Sequence, residues 1–306
     1  MATLRVASPS RAAGLAYPAS LLLLYGALAG ATFTLAKVAL AAGVRPLGYA
    51  AWQTAGAGLF MAAVALARGV EVPRGGPALA FYAVCGLLGV AMPSLAMFSA
   101  LDHIPAGAMA TIAATVPLFT FALAAALRVE APTRRRLLGL ALGLAGAMTV
   151  LAPRAALPGF GDLGWTCIAF LAPLGYAVGS VYTGLRRPSG VSPIALTVGM
   201  LAFAGGALTA TAVARGEAYW PVGFGEAEAA IAAQIVVSGL GYLLFFEIIR
   251  AAGSVFFSQS AYVVAFAGMA WPWLLFGQRT EPALLAAAGL ILAGVALARP
   301  MDRATR

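Results

Sequence analysis

The sequence predicts an all-α integral membrane protein, with ten transmembrane helices built as two inverted five-helix repeats (5+5) around a central cavity. Three observations carry this prediction: the composition, the length of the apolar segments and an internal repeat. Of the 306 residues, 62% are hydrophobic and only 9% are charged. A soluble domain carries far more charge, so lipid is the expected solvent for most of this chain.

Apolar runs recur along the whole chain between charged or Pro- and Gly-rich breaks. Each run is about 20 residues long, enough to cross a hydrocarbon layer of roughly 30 Å as a helix. None shows the alternation of apolar and polar residues that marks a barrel strand. The predicted spans are 17–41, 47–67, 78–100, 106–127, 136–151, 162–184, 193–213, 228–250, 255–276 and 283–298. The first is too long for a secretory signal, so we expect it to remain in the mature protein.

The basic residues predict the orientation of the chain in the membrane. There are 19 of them, scattered through short loops, a distribution that argues against a nucleic-acid partner. If both termini are cytoplasmic, five basic residues face outward and 14 face inward, as the positive-inside rule requires. The outward set is Lys37, Arg45, Arg154, Arg215 and Arg279. The expected location is a bacterial inner membrane, with several spans and both termini in the cytoplasm.

The two halves of the chain resemble each other when one is shifted by 148 or 149 residues. The matched positions are Gly26 and Gly175, Gly30 and Gly179, Pro93 and Gly241, Glu130 and Gln278, and Gly146 and Gly294. Pro46 and Pro193 also match, with a shift that is one residue shorter than 148. Five spans per copy is an odd number, so the second copy must enter the bilayer upside down. We therefore predict two inverted repeats, residues 1–154 and 155–306.

A family resemblance follows from the third and fourth spans. The segment AMFSALDHIPAGAMATIAATVPLFTFALAAALRVE resembles the EamA half of the drug/metabolite transporter superfamily, and residues 155–306 resemble a degenerate EamA copy. The resemblance implies ten helices in two inverted halves, with a central cavity open to one side at a time. Within the superfamily the chain is most similar to exporters of aromatic and other neutral amino acids.

Polar and aromatic side chains inside the spans are the candidates for substrate binding, because they are costly to leave against lipid and should face the interior. Ser238, Tyr242 and Phe245 are spaced by four and three residues and share one helical face. The predicted substrate-binding residues are Phe33, Lys37, Tyr82, Ser94, Tyr176, Ser180, Ser238, Tyr242, Gln259 and Tyr262. Tyr17 and Tyr219, at span ends, fit an interfacial aromatic belt.

Interrupted helices are the expected place for a transport path, because their free backbone groups must face protein or water. Pro93 and Gly241 form a matched pair of such interruptions, and the resemblance adds Pro117, Gly268 and Pro272. The alternative is that these residues only kink packed helices.

Two ionisable residues within the spans have two interpretations each. Lys37 could attract a substrate carboxylate or extend to the lipid headgroups. Glu247 could couple transport to a proton, or could form an intrahelical pair with Arg250 three residues later.

No catalytic constellation is evident in the sequence. The single histidine cannot build a typical zinc site, and Cys85 and Cys167 lie in apolar runs as expected for packing residues. We expect no enzyme activity and no cofactor. The sequence favours a monomeric secondary transporter that exports a small metabolite and contacts only its substrate and lipid. A multidrug exporter is the alternative, and a membrane-embedded enzyme or a lipid-handling protein is a weaker one.

Overall fold

The computed structural model of the chain describes residues 11–100, 103, 112–129, 133–151, 163–276 and 282–298, and this part is all-helical. The helices are α1 (Arg11–Ala41), α2 (Pro46–Ala67), α3 (Gly76–Gly86), a π-helical turn (Leu87–Ala91), α4 (Met92–Ala100), α5 (Val116–Ala126), α6 (Arg134–Leu151), α7 (Leu163–Arg186), α8 (Pro193–Ala214), α9 (Glu226–Ala252), α10 (Ser254–Ser258), α11 (Ser260–Phe276) and α12 (Pro282–Ala298). Glu130, Gln278 and the predicted repeat boundary at 154/155 lie outside the described residues.

Six helical segments in the described part are long and apolar enough to cross a membrane. They are Tyr17–Ala41, Pro46–Ala67, Gly76–Ala100, Gly164–Arg186, Pro193–Ala214 and Glu226–Ala252. Each lies within a few residues of a predicted span, so the prediction of a multi-span, all-helical membrane protein is confirmed. The remaining apolar helices are shorter, and the count of ten spans stays a prediction.

The two helices α2 and α8 begin and end with the same local signals. Each has proline at its first position, Pro46 and Pro193, where the missing amide proton costs nothing. Each is followed by a glycine in the left-handed region, Gly69 at φ 61° and Gly216 at φ 66°. A side chain other than glycine is disfavoured at such an angle. The sequence therefore starts and stops these two helices in the same way.

The pattern of helix packing is the same in the two halves of the chain. Helix α1 packs against α9 and α11, and α7, which corresponds to the sixth predicted span, packs against α4 and α5. Helix α2 packs against α9, and correspondingly α8 packs against α3. The remaining large contacts pair α2 with α8 and α6 with α12. The principal contacts of α1 and α2 named here thus have counterparts made by α7 and α8.

Small residues allow close approach at two of these contacts, as is common between membrane helices. A Cβ atom placed on Gly30 of α1 would lie 2.5 Å from the Cβ of Ala267 in α11. A Cβ placed on Gly179 of α7 would lie 2.6 Å from the Cα of Gly89. The two GxxxG pairs are thus packing contacts, although they face different partners in the two halves.

The segment from Gly76 to Ala100 changes its helical geometry in the middle. The amide of Met92 donates to the carbonyl of Leu87, five residues earlier, so the turn is one residue wider than in an α-helix. Pro93 follows directly and has no amide proton to continue the regular ladder. The predicted interruption at Pro93 is therefore accompanied by a π-helical turn, and Gly89 within it is where α7 comes closest.

Candidate functional site

Three tyrosines from three different helices lie near one another in the bundle. Tyr25 of α1, Tyr176 of α7 and Tyr242 of α9 have hydroxyl groups close enough to interact electrostatically with one another. Tyr176 also hydrogen-bonds with Ser94 of α4. We call these four residues the tyrosine cluster. Tyr176 is 37% exposed, so the cluster borders accessible space.

The helices that supply the cluster occupy matching places in the two halves. Helices α1 and α7 lead their halves, while the π turn with α4 and the middle of α9 carry the matched positions Pro93 and Gly241. Gly241 does not interrupt α9, which runs unbroken from Glu226 to Ala252. A Cβ there would lie 3.9 Å from the ring of Tyr25, an ordinary van der Waals contact, so the space around Gly241 does not require glycine.

A line of polar side chains extends from the cluster along α9 toward its first turn. The amide nitrogen of Gln234 donates to Ser238 Oγ at 2.8 Å and to Thr32 Oγ1 of α1 at 3.1 Å. Gln234 is 1% exposed, and its Oε1 has no hydrogen-bond partner in the described part of the chain. Ser238 and Tyr242 are four residues apart on the same face, so this line is continuous with the cluster.

On the other side of the cluster, six aromatic rings fill the space between the helices. Neighbouring rings have centroids 4.9–6.3 Å apart, the usual range for aromatic contacts. In order of contact the rings are Tyr182, Phe81, Phe246, Phe245, Phe257 and Tyr25. We call them the aromatic row. They join five helices, and Phe81 and Phe246 are almost fully buried, so the aromatic row packs these helices together.

A charged network lies at the end of the bundle beyond the aromatic row, which we call the Tyr17 end. The Tyr17 hydroxyl donates to Glu247 Oε1 at 3.0 Å, and Arg250 Nε donates to Glu247 Oε2 at 2.9 Å. Arg187 Nη1 donates to the carbonyl of Phe246 at 3.0 Å. Burial, together with the nearby positive charge of Arg250, lowers the pKa of Arg187, and Glu247 opposes that change. The network ties α1, α7 and α9 together.

Replacing Glu247 with glutamine should loosen the Tyr17 end, because the charged partner of Arg250 is lost. Cys85 is a built-in reporter, since it is buried next to Thr183, at 3.4 Å from its Oγ1. In protein carrying Cys167→Ser, we expect Glu247→Gln to raise the rate at which a maleimide modifies Cys85 by about two- to fivefold, the effect of a partly exposed ion pair.

Glu228→Gln is the matched control for this prediction. Glu228 bonds the Tyr219 hydroxyl at 2.7 Å, at the opposite end of the bundle, and its loss should leave Cys85 labelling unchanged. Equal labelling rates in the parent protein and in Glu247→Gln would mean that the ion pair does not hold this end closed.

Three of the predicted substrate-binding residues serve packing in this conformation. The ring of Tyr82 lies against Gly199 of α8, and the ring of Tyr262 lies against Gly143 of α6. The Tyr262 hydroxyl donates to the carbonyl of Leu140 at 3.3 Å. Ser180 is buried and donates to the carbonyl of Ala177 in its own helix. None of these contacts joins the tyrosine cluster.

Phe33 and Lys37 are on the exposed surface of α1. Phe33 is 56% exposed, and a Cβ on Gly268 would lie 2.8 Å from its ring, so Gly268 accommodates this ring. Helix α11 continues through Gly268 and Pro272 without a break. This span is instead interrupted earlier, at Gly253 with φ 87° and at Gln259.

The interruption near Pro117 lies just before that residue. The turn Ala114–Thr115 separates a short helical piece from α5, and Pro117 occupies the first turn of α5, where proline is compatible with a helix. Pro117 thus follows a break and starts a helix.

An apolar groove with a volume of 280 Å³ lies between α1, α11 and α12, apart from the tyrosine cluster. It is lined among others by Leu23, Val263, Phe266 and Trp271. The indole nitrogen of Trp271 donates to the carbonyl of Ala27 at 2.8 Å, so even the polar atom of this residue is satisfied within the protein. The groove offers only apolar contacts.

Sequence reasoning missed Tyr25 and Gln234. Tyr25 is seven residues before Thr32, and Gln234 is four before Ser238, so helical spacing from polar positions could have found both. Sequence reasoning also missed a partner of Tyr17, whose hydroxyl bonds Glu247, 230 residues away in the chain; its place in an interfacial belt stays a prediction.

Fold and site together define a multi-span helical membrane protein whose polar side chains converge between its helices. Residues 17–152 match the EamA-like transporter family, the family that the sequence resembles.

A solved protein crystal structure is similar to this chain with a TM-score of 0.75 and 22% identity, and the alignment covers 94% of this chain and 97% of that one. At this identity the likeness describes the fold alone. No curated protein matches the chain.

Proposed function

We propose that this protein is a monomeric secondary transporter that exports small metabolites, with neutral and aromatic amino acids as the substrate class, across a bacterial cytoplasmic membrane. The tyrosine cluster carries the proposal, because four helices contribute one polar group each to a single place inside an otherwise apolar bundle. Polar groups inside a membrane are costly and usually functional. A polar substrate that crosses the membrane needs polar groups of this kind to bind it inside the bundle.

The proposed mechanism is alternating access between two inverted repeats, residues 1–154 and 155–306, with ten spans in all. The counterpart contacts of α1 and α7, and of α2 and α8, support this architecture. So do the matching start and stop signals of α2 and α8. In transporters built from inverted repeats, the substrate site lies where the repeats meet, and the cluster lies between helices of both halves.

The Tyr17 end is assigned to the cytoplasm. The described basic residues at that end are Arg11, Arg68, Arg74, Arg128, Arg134, Arg135, Arg136, Arg186, Arg187 and Arg250, and those at the other end are Lys37, Arg45 and Arg215. Cytoplasmic loops retain positive charge. The aromatic row and the Glu247 network therefore close the cytoplasmic side in this conformation, and export requires that they open. This structural role of Glu247 competes with proton coupling.

The chemistry around the cluster supports an amphipathic substrate without net charge. Hydroxyl groups of Tyr25, Tyr176, Tyr242 and Ser94 offer hydrogen bonds, while Phe257 lies 5.0 Å from the ring of Tyr25 and offers an apolar surface. The nearby acid Glu247 is already bound to Tyr17 and Arg250. Neutral hydrogen-bonding groups beside aromatic rings suit a neutral or aromatic amino acid.

Transport of labelled amino acids tests this proposal. Protein reconstituted in liposomes should move phenylalanine, methionine or threonine down a concentration gradient faster than empty liposomes do. An imposed pH gradient then tests proton coupling. Transport of a cationic dye with none of these amino acids moved would favour multidrug efflux and would refute the proposed substrate class.

A further inference from the structure

Gln259 presents the least satisfied polar group in the described part of the chain. It stands at the junction between α10 and α11 and is 0% exposed. Both Nε2 and Oε1 of its amide have no hydrogen-bond partner among the residues that the structure describes. Buried polar groups are normally paired, and an unpaired one destabilises the folded protein. A ligand that supplies both partners would remove this destabilisation.

The backbone N–H and C=O groups of Gln259 are hydrogen-bonded, so only its side-chain amide lacks hydrogen-bond partners. The Gln259 amide N–H donates to the carbonyl of Phe256 at 3.2 Å, and its carbonyl accepts from Tyr262 at 3.1 Å. The neighbouring Ser258 hydroxyl donates to the carbonyl of Val255 at 2.7 Å. That hydroxyl donor is therefore engaged within its own turn and does not serve the Gln259 amide.

The segment that carries Gln259 contacts the tyrosine cluster and α7 through neighbouring residues. Val255, one turn before Gln259, packs with Val181 of α7 and Ala124 of α5. Phe257, two residues before it, contacts the ring of Tyr25 in the tyrosine cluster. The amide thus belongs to a segment that touches both the cluster and α7, which supplies Tyr176.

We propose that the Gln259 side chain recognises the α-amino and α-carboxylate groups of the substrate. Its Oε1 accepts a hydrogen bond from the ammonium group, and its Nε2 donates one to the carboxylate. This inference rests on the proposed function and names the part of the substrate that Gln259 binds. A neutral amide supplies one acceptor and one donor group, which matches a zwitterion of no net charge, whereas a charged side chain would favour only one of its two groups.

Binding of three related compounds tests the inference: phenylalanine, 2-phenylethylamine without the carboxylate, and 3-phenylpropionate without the amine. Their dissociation constants are measured on purified protein in detergent by ligand-dependent thermal stabilisation, which needs no turnover. The parent protein should bind phenylalanine at least about tenfold more tightly than either analogue, the value of one hydrogen bond of about 1.4 kcal/mol.

Two variants separate the roles of the two amide atoms. Gln259→Glu keeps an acceptor and loses the donor, so phenylalanine and 3-phenylpropionate should bind about tenfold or more weakly, while 2-phenylethylamine binding is maintained. Gln259→Leu should remove the preference for phenylalanine over both analogues. Ser258→Ala, at the adjacent buried position, is the control and should keep the parent preference.

The possible results discriminate clearly. Parent-like preferences in Gln259→Glu, which is nearly isosteric and so the safer variant for folding, would overturn the inference and leave the amide to a structural water. Strong phenylalanine binding without preference over the analogues would overturn it as well, while leaving the proposed substrate class intact. Binding of none of the three compounds by the parent protein would refute both that class and this inference.

Discussion

Replacing Tyr242 with phenylalanine is expected to lower the rate of amino-acid transport about tenfold, the effect of losing one hydrogen bond of about 1.4 kcal/mol to the proposed substrate. Of the three clustered tyrosines, Tyr242 interacts with both of the others. The change removes only its hydroxyl and keeps the ring, so packing in α9 should be retained. Tyr176→Phe should act in the same direction, because its hydroxyl bonds Ser94.

The measurement is the initial rate of labelled phenylalanine uptake into proteoliposomes, together with the unfolding temperature of each variant. Tyr219→Phe is the matched control. It also removes one hydroxyl, which bonds Glu228 at 2.7 Å, but it does so in the loop before α9. Undiminished transport in both Tyr242→Phe and Tyr176→Phe would remove the tyrosine cluster from the transport path.

The helices could be predicted closely because local signals determine them. Runs of hydrophobic residues of membrane-crossing length mark the spans, and Pro46 and Pro193 mark two of their starts. The first candidate span, Tyr17–Ala41, has the predicted bounds, although the helix that contains it begins earlier, at Arg11. Helices can extend beyond the hydrocarbon layer, so hydropathy alone does not give their ends.

The site was predicted only in part, because helical spacing gives a face but not the partner of that face. Ser94, Tyr176 and Tyr242 were expected to line the site and do meet in the cluster. Tyr82 and Tyr262 are tyrosines in apolar segments of the sequence, just as Tyr176 and Tyr242 are. They pack instead on Gly199 and Gly143, glycines in other helices, and no property of their own segments indicates such a partner.

The same limit applies to Glu247. The sequence places Arg250 three residues away, and that pair is present. The further partner, Tyr17, comes from the other end of the chain. Only the packing of α1 against α9 brings the two together, so the closure of the Tyr17 end was not evident from sequence.

Replacing Gly179 with leucine is expected to destabilise the fold by about 3 kcal/mol or more, at the upper end of what overpacking costs. A Cβ at this position would lie 2.6 Å from the Cα of Gly89. The clash involves backbone on both sides, so no side chain can move to relieve it. Helix α7 would have to shift away from the π-helical turn, which separates Tyr176 from Ser94 and should abolish transport as well.

Thermal unfolding in detergent, with the yield of folded protein, measures this effect. Gly206→Leu is the matched control, because Gly206 is also inside a membrane helix, α8, and a Cβ there meets nothing within 4 Å. It should leave the unfolding temperature unchanged or raise it, since leucine favours a helix more than glycine does. Equal stability of the two variants would show that α7 does not depend on the close approach at Gly89, and would remove the steric reason for glycine at the contact where Ser94 and Tyr176 meet.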